Sequence, residues 1–306
     1  MIDRIQIYIL SRDRPIFLEE MIDSLLNQNQ ALIQFEIIVS DNSVGDDVEN
    51  MIAKRFSMKD FKYIKRRPSL SARKHFQLIV SELKEKYAIL LHDDDILHPD
   101  YIREMSCSLK DKGVVAIGCN AFIFSDDIQK IKSKMHKSVK PKRFSNEKDF
   151  LERYLPGGGG SAPFPGYLYQ TEYLKKVFLK IPIKGKHSDV AILSSLLNYG
   201  SILWLESPLM YYRRHESNDS VVESIPDRLQ LLNYMKSKGI NKKSTGFLLF
   251  RIIFWLNWVL QQGRFLVNIT HWRYRTVVLS ILLKIMKISM TRNFWKILFL
   301  RYKMDL

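Results

Sequence analysis

Three consecutive aspartates, Asp93–Asp95, follow the apolar run Tyr87–Leu91 after a single histidine, His92. That run has the length and composition of a buried strand. Neighbouring carboxylates repel one another, and a folded chain tolerates them best when a cation lies among them. Ligands of open α/β sheets bind beyond the carboxyl ends of the strands. The triplet therefore predicts either a divalent metal that holds a phosphorylated ligand or a solvated acidic turn in which Asp95 or Asp100 caps the next helix.

Strand-like and helix-like segments alternate through the first part of the chain. Predicted strands cover 5–10, 35–39, 61–64, 87–91 and 114–119, and predicted helices cover 15–29, 48–56, 71–86 and 100–110. This alternation predicts an α/β fold with a mostly parallel sheet and helices on both faces. Further along we predict a surface excursion at 124–144, a strand at 167–170, helices at 172–178 and 189–199, and strands at 201–205 and 209–212.

The net charge of +16 is concentrated at the carboxyl end of the chain. The segment from Lys236 onward contains 14 Lys and Arg residues and a single acidic residue, Asp305. The first 235 residues contain 34 Lys and Arg residues and 31 acidic residues. Four of the five tryptophans also lie in this basic end. We therefore divide the chain into a nearly neutral body, 1–225, and a basic, amphipathic helical region, 226–306.

The sequence favours a reduced, cytoplasmic protein. The apolar segment Ile5–Leu10 is too short for a signal peptide and follows Asp3 and Arg4, so we interpret it as a strand. Cys107 and Cys119 lack metal-site or CxxC spacing and are interpreted as reduced core thiols. No uncharged apolar run is long enough to span a membrane.

Several short motifs follow one another in a characteristic order. They are Ser11-Arg12-Asp13-Arg14-Pro15, Val39-Ser40-Asp41-Asn42-Ser43, Ser71-Ala72-Arg73-Lys74-His75-Phe76, the triplet, Ser188-Asp189 and Tyr212-Arg213-Arg214-His215. Over about residues 3–220 this series resembles the inverting family 2 glycosyltransferases, and most closely the bacterial members that build surface polysaccharide. The resemblance implies the Rossmann-like GT-A fold for the body, with a helical extension after it.

The resemblance also implies how the triplet works. Sugar transfer from a nucleotide donor needs the diphosphate leaving group neutralised, usually by Mn²⁺ or Mg²⁺, ions that take oxygen ligands and keep bonds to phosphates. Family likeness makes Asp94 or Asp95 the direct metal ligand and Asp93 a contact to ribose or sugar. His92 stands where many members have another Asp, so the register of the metal-binding pair stays open.

Further donor contacts are implied at the ends of other strands. In the family, an Asp at the position of Asp41 accepts a hydrogen bond from uracil; the alternative is a turn Asp that bonds its own backbone. Ser11 and Asp13 would line the same pocket. Arg73 would reach the nucleotide, or is an ordinary surface arginine. His75 stands where many relatives have Asn, and we assign it no role.

Inversion requires a base that takes the proton of the acceptor hydroxyl during attack. In the family this base lies just before a helix, which points to Asp189; the alternative is an N-cap, a role that Ser188 could also fill. His215 resembles the family's late histidine near the diphosphate and is a candidate ligand for metal or phosphate, with Arg213 or Arg214 assisting. A structural histidine is the alternative.

The basic end has three interpretations. Apolar and aromatic residues interspersed with Lys and Arg suit helices in an anionic membrane interface. An ordinary helical subdomain is the second interpretation, and nucleic-acid binding is the least favoured because no such motif accompanies the charge. The first would place the enzyme on the inner face of the cytoplasmic membrane, where a lipid-linked saccharide is the expected acceptor.

The sequence thus predicts a metal-dependent inverting glycosyltransferase that uses a nucleotide-diphosphate sugar, with a UDP-sugar favoured, in surface-polysaccharide synthesis. The alternatives are a sugar-phosphate nucleotidyltransferase and a non-catalytic membrane-associated scaffold. A flexible loop for the acceptor is predicted at Gly157–Gly160.

Overall fold

The structure is a computed structural model, and it describes residues 3–29, 33–56, 61–125, 128, 130–136, 142–154, 164–181, 185, 187–215, 225–240 and 247. The predicted glycine loop Gly157–Gly160 lies outside the described residues. So do the apolar stretches 247–262 and 276–290 of the basic region, apart from Phe247. The proposed division of the chain at residue 225 therefore stays a prediction.

The described elements alternate much as the sequence predicts. The strands are β1 (Arg4–Ser11), β2 (Gln34–Asp41), β3 (Lys62–Lys65), β4 (Tyr87–His92), β5 (Ile96–Leu97), β6 (Val114–Phe124), β7 (Ser133–Lys134), β8 (Lys142–Phe144), β9 (Tyr167–Gln170) and β10 (Ser201–Arg213). The helices are α1 (Pro15–Leu26), α2 (Asp47–Arg55), α3 (Ala72–Glu82), α4 (Tyr101–Cys107), α5 (Glu147–Tyr154), α6 (Thr171–Phe178), α7 (Ser188–Leu196) and α8 (Ile225–Ser237).

The strands form one mixed sheet in the order β3-β2-β1-β4-β9-β6-β10-β5, with β7 paired to β6 and β8 paired to β10. The first half, β3-β2-β1-β4, is parallel, and so is the pair of β6 and β10. β9 lies antiparallel between β4 and β6. The mostly parallel α/β sheet predicted from the sequence is confirmed.

Alternate side chains of the central strands enter two separate cores, one on each face of the sheet. In β1, Ile5, Ile7 and Ile9 pack with α1, α2 and α4, whereas Tyr8 points to the opposite face and packs with α3, α6 and α7. A strand buried on both faces reads as a continuous apolar run, which is why β1 and β4 are so apolar in sequence.

Some predicted boundaries and environments are wrong. The two strands predicted around Pro208 are one strand, β10, which passes Pro208 by an irregularity in its pairing with β6. The predicted surface excursion at 124–144 contributes β7 and β8 to the sheet. Cys119 is buried as predicted, but Cys107 is exposed and is not a core thiol. Within the described residues, no helix is long and apolar enough to cross a bilayer.

Gly118 in β6 allows the ring of Tyr167 to cross the neighbouring strand at close range. A Cβ at Gly118 would lie 2.4 Å from Cζ of Tyr167, whose side chain is fully buried. We therefore expect Gly118→Ala to lower the free energy of unfolding by about 1–3 kcal/mol through overpacking. Gly45→Ala is the matched control, since a Cβ there meets nothing within 4 Å. Equal denaturation midpoints for the two variants would contradict this packing argument.

Candidate active site at the carboxyl edge of the sheet

The parallel pairing of β1, β2 and β4 brings three predicted site segments to one edge of the sheet. Ser11 at the end of β1 pairs with Asp41 at the end of β2, and Leu10 pairs with His92 at the end of β4. The triplet begins immediately after His92. β1, β2 and β4 begin side by side and have similar lengths, so they also end side by side. This brings Ser11, Asp41 and the triplet to the same edge although they are far apart in sequence.

Asp93, the first residue of the triplet, connects the triplet to the end of β1. Its Oδ2 accepts hydrogen bonds from Ser11 Oγ at 2.9 Å and from the backbone N–H of Arg12 at 3.1 Å. Desolvation raises the pKa of Asp93, and the nearby Arg14 guanidinium limits that rise. These bonds hold Asp93 in the wall of the site and fix the loop that follows β1.

Asp94 is the triplet member that faces the other predicted ligand, His215. Its Oδ2 lies 2.9 Å from His215 Nε2 and 2.9 Å from Arg14 Nη1. Burial opposes ionisation of Asp94, but the neighbouring His92, the hydrogen bond with His215 and the Arg14 guanidinium outweigh it and lower the pKa. Asp94 is therefore held as a carboxylate between Arg14 and His215.

Asp95 is the most deeply buried of the three. Its Oδ1 accepts the backbone N–H of Arg213 at 3.0 Å, and its Oδ2 has no hydrogen-bond partner among the described residues. Desolvation and the adjacent Asp94 charge raise the pKa of Asp95 well above its ordinary value. The alternative in which Asp95 caps a helix is wrong, since β5 follows it and Asp100 occupies the cap position of α4.

Arg213 organises the turn that carries the triplet. Its Nε donates to the backbone oxygen of Asp94 at 2.9 Å, and its Nη2 bonds the carboxylate of Glu20. The guanidinium lies between two rings, 4.5 Å from the centroid of Phe17 and 4.4 Å from that of Phe124. An arginine held in this way by stacking and charged hydrogen bonds is a rigid support for the acidic turn.

Asp41, the last residue of β2, is fully buried. Its Oδ1 accepts the backbone N–H of Ser43 at 2.8 Å, and its Oδ2 accepts Tyr63 Oη at 2.7 Å and Lys65 Nζ at 3.0 Å. Burial opposes ionisation, but the bonds from Ser43, Tyr63 and Lys65 outweigh it and lower the pKa of Asp41. Asp41 thus makes the backbone bond expected of a turn aspartate. It also lies at the sheet edge where the nucleotide is predicted to bind.

Asp13 joins the loop after β1 to the loop after β2. It adopts a left-handed backbone with φ of 55°, which Asp tolerates better than most residues. Its N–H donates to Ser43 Oγ at 2.7 Å, and its Oδ1 accepts the N–H of Val44 at 3.1 Å. Asp13 therefore shapes the rim of the predicted nucleotide pocket.

Asp189 lies in the first turn of α7 and is partly exposed. The helix begins one residue earlier than predicted, with His187 at the N-cap position, so neither Ser188 nor Asp189 is the cap. The Oδ1 of Asp189 accepts the N–H of Val190 at 2.8 Å, and desolvation raises its pKa to about 6. Its charge adds to the desolvation that raises the pKa of the buried Tyr169 in β9.

Arg73 is exposed on the first turn of α3, next to the end of β2. Two residues later His75 is buried, with Nε2 2.8 Å from Ser40 Oγ. Desolvation and the nearby Arg66 lower the pKa of His75 to about 4. The neutral His75 thus connects the start of α3 to the end of β2, and this contact fixes the helix turn that carries Arg73.

The site offers some of the ligands that a divalent cation needs. No group of three or more His, Cys, Asp or Glu side chains is arranged around a cation position among the described residues. Asp94 and His215 nevertheless converge, and an unsatisfied oxygen of Asp95 lies in the same turn. Mg²⁺ and Mn²⁺ commonly bind through one or two protein ligands and fill their remaining positions with phosphate oxygens and water. The residues present therefore fit such an ion.

Contacts within the described chain unite Ser11, Asp93, Asp94, Asp95 and His215, and they connect Asp13 and Asp41 to them through Ser43 and the paired strands. No contact among the described residues joins Asp189 or Arg73 to this network directly. The network includes five more residues that were not predicted from the sequence: Arg14, Phe17, Glu20, Tyr63 and Lys65. Arg14 lies in the motif that follows β1, but the partners of the other four depend on tertiary contacts alone.

Comparison with known proteins agrees with this architecture. A family model described as glycosyl transferase family 2 matches residues 7–178. No curated protein matches the sequence significantly. Among solved structures, residues 1–349 of S. aureus TarS in complex with UDP-GlcNAc align with a TM-score of 0.59 at 12% identity, covering 81% of this chain and 70% of that one.

Two further structures of the same protein are similar. The complex of S. aureus TarS 1–349 with UDP aligns with a TM-score of 0.53 at 13% identity, over 80% of this chain and 75% of that one. The longer S. aureus TarS aligns with a TM-score of 0.55 at 14% identity, over 81% of this chain and 43% of that one. At these identities the structural likeness concerns the fold.

Proposed function

The chain belongs to glycosyl transferase family 2 and has the GT-A fold; from this premise we propose that it transfers a sugar, with inversion, from a UDP-sugar to a saccharide acceptor. One observation carries the proposal: the ends of β1, β2 and β4 bring Ser11, Asp41 and the buried triplet to one sheet edge, where Asp94 faces His215. The TarS structures that share the fold contain UDP-GlcNAc or UDP, which supports a uridine donor.

The donor diphosphate would lie over Asp94 and His215. A bound Mn²⁺ or Mg²⁺ supplies charge neutralisation of the leaving diphosphate there. Asp94 and His215 would hold the ion, with Asp95 behind them, and Arg213 would keep the acidic turn in place. Asp93 and Ser11 would form the wall toward the ribose, while Asp41, Asp13 and Arg73 would border the nucleotide.

Asp189 is proposed as the general base. In an inverting transfer, the acceptor oxygen attacks the anomeric carbon while the bond from that carbon to the diphosphate breaks. Asp189 takes the hydroxyl proton as the new bond forms, and UDP leaves with the electron pair of the broken bond. A carboxylate whose pKa is raised by desolvation is a better proton acceptor than an ordinary aspartate.

This assignment predicts a specific pH dependence. The pKa of Asp189 is about 6, so the carboxyl is protonated and inactive as a base below that pH, and ionised and active above it. We expect kcat/KM to fall about tenfold for each pH unit below 6 and to level off above about 7. The measurement is a pH profile of UDP release with donor and acceptor present. A profile flat down to pH 4.5 contradicts a base with this pKa.

The acceptor and the setting are the remaining parts of the proposal. The basic, tryptophan-rich region from Lys236 onward suits an anionic membrane surface. We propose that the enzyme works on the inner face of the cytoplasmic membrane on a lipid-linked saccharide during bacterial surface-polysaccharide synthesis. Flotation of the full chain with vesicles containing anionic lipid, compared with neutral vesicles, tests the membrane part separately.

The test of the function is a thermal-shift screen followed by product analysis. Mn²⁺ and UDP together are expected to raise the melting temperature more than either alone, because both bind only the folded state. Incubation with a panel of nucleotide sugars should then release a nucleoside diphosphate. Release of pyrophosphate from a nucleoside triphosphate and a sugar phosphate would instead favour a nucleotidyltransferase, and the absence of any thermal shift would favour a scaffold.

A further inference from the structure

Arg14 forms ion pairs with two aspartates of the triplet, Asp93 and Asp94. Its Nη1 lies 2.9 Å from Asp94 Oδ2 and 3.3 Å from Asp93 Oδ1. The side chain of Arg14 is 33% exposed, whereas those of Asp93 and Asp94 are 5% and 10% exposed. The aspartates are therefore fixed walls of the site, and the guanidinium is the partner that reaches them from the solvent side.

The backbone before Arg14 is built to aim it at the triplet. Asp13 holds a left-handed conformation, and its bonds to Ser43 and Val44 anchor it to the loop after β2. Pro15 begins α1 directly after Arg14. Because the chain is fixed on both sides, the backbone of Arg14 is held where its long, one-third exposed side chain reaches Asp94.

The oxygen that Arg14 holds is the one that the proposed cation needs. Asp94 Oδ2 faces both Arg14 Nη1 and His215 Nε2. A divalent ion held by Asp94 and His215 would stand within a few ångströms of the guanidinium, and like charges repel strongly at that distance in a partly buried site. The guanidinium and the cation therefore compete for Asp94.

We propose that Arg14 is an exchange residue: its guanidinium neutralises Asp93 and Asp94 while the site holds no cation, and it turns to the donor diphosphate when the cation and the nucleotide bind. The inference rests on the proposed function. It explains how the adjacent carboxylates of Asp93 and Asp94 are buried together before any metal arrives. It also supplies a planar cation for the phosphate oxygens, which guanidinium groups bind in bidentate fashion.

Competition has a measurable consequence for the cation alone. The fraction of molecules in which Arg14 occupies Asp94 lowers the apparent affinity for Mn²⁺. In Arg14→Gln this competitor is absent, and we expect the dissociation constant for Mn²⁺, measured by electron paramagnetic resonance without nucleotide, to fall at least about threefold. The same variant at saturating Mn²⁺ should bind UDP at least about threefold more weakly, because a diphosphate partner is lost.

Arg12→Gln is the matched control. It removes one positive charge two residues away, from a side chain that is 52% exposed and paired with Asp13 rather than with the triplet. Its Mn²⁺ affinity should change less than about twofold, since exposed charges are screened. Arg14→Lys is a second control, which keeps the positive charge but not the planar guanidinium and so detects effects of the substitution on folding. It should bind Mn²⁺ no more tightly than the native protein.

The outcomes separate the two proposals. The exchange is supported if Arg14→Gln binds Mn²⁺ more tightly and UDP more weakly than the native protein, and if Arg12→Gln and Arg14→Lys do not show this combination. Unchanged or weaker Mn²⁺ binding in Arg14→Gln overturns the exchange and leaves the proposed function standing, provided that the native protein binds Mn²⁺. Failure of the native protein to bind Mn²⁺, even with UDP, overturns the metal-dependent function and the exchange together.

Discussion

Asp189→Asn is expected to lower the rate of sugar transfer by about 10²- to 10⁴-fold, the usual contribution of a general base. The amide has nearly the shape of the carboxyl but does not accept a proton at neutral pH. The proposed donor contacts are made by other residues, so Mn²⁺-dependent binding of UDP should be unchanged. Turnover is measured as UDP release with acceptor present, and binding by isothermal titration.

The fold offers an internal check on this variant. Asp189 has a pKa raised to about 6 by desolvation, so its ionised form at pH 8 weakens the native state and the neutral amide removes that penalty. The variant should therefore melt at the same temperature or higher at pH 8. Asp3→Asn is the control for a carboxylate lost at the surface, where Asp3 pairs with Lys86. Full turnover in Asp189→Asn would show that the base lies elsewhere.

Asp94→Asn is expected to abolish the joint thermal shift by Mn²⁺ and UDP and to lower kcat/KM by at least about 10²-fold, because it removes the charge that we propose faces the ion and the diphosphate. The neutral amide still fits beside His215 and Arg14, so the fold should survive. The measurements are melting curves with and without ligands, and initial rates of UDP release.

Comparison within the triplet resolves which aspartate contacts the cation. Asp93→Asn should retain the Mn²⁺ shift, because Asp93 bonds Ser11 and the backbone of Arg12 rather than His215. Asp95→Asn should act mainly on stability, since Asp95 is fully buried against the backbone of Arg213. If Asp94→Asn kept its Mn²⁺ response while Asp93→Asn lost it, the register of the metal-binding pair would shift by one residue.

The elements that position the site were predictable from local pattern. Apolar runs without interruption indicate strands covered on both faces, as in β1 and β4, and the turn-forming residues after each run place Ser11, Asp41 and the triplet at strand ends. Elements with weaker patterns were predicted less well. β7 and β8 lie in a lysine-rich stretch, and β10 runs through Pro208, because pairing with an existing sheet edge overrides local preference.

The sequence by itself determined which residues are candidates for the site and that they follow the ends of the first strands, because side-chain periodicity and turn-forming residues are local properties. Only the tertiary structure decided what each carboxylate faces. The bond from Arg213 to Asp95 spans 118 positions and that between His215 and Asp94 spans 121. Such pairs depend on the register of β10 beside β5 and β6, which is set by packing across the whole sheet. The three adjacent aspartates look equivalent in the sequence, and they differ in the fold because each has a different partner: Ser11 at the end of β1, Arg213 at the end of β10 and His215 two residues beyond it.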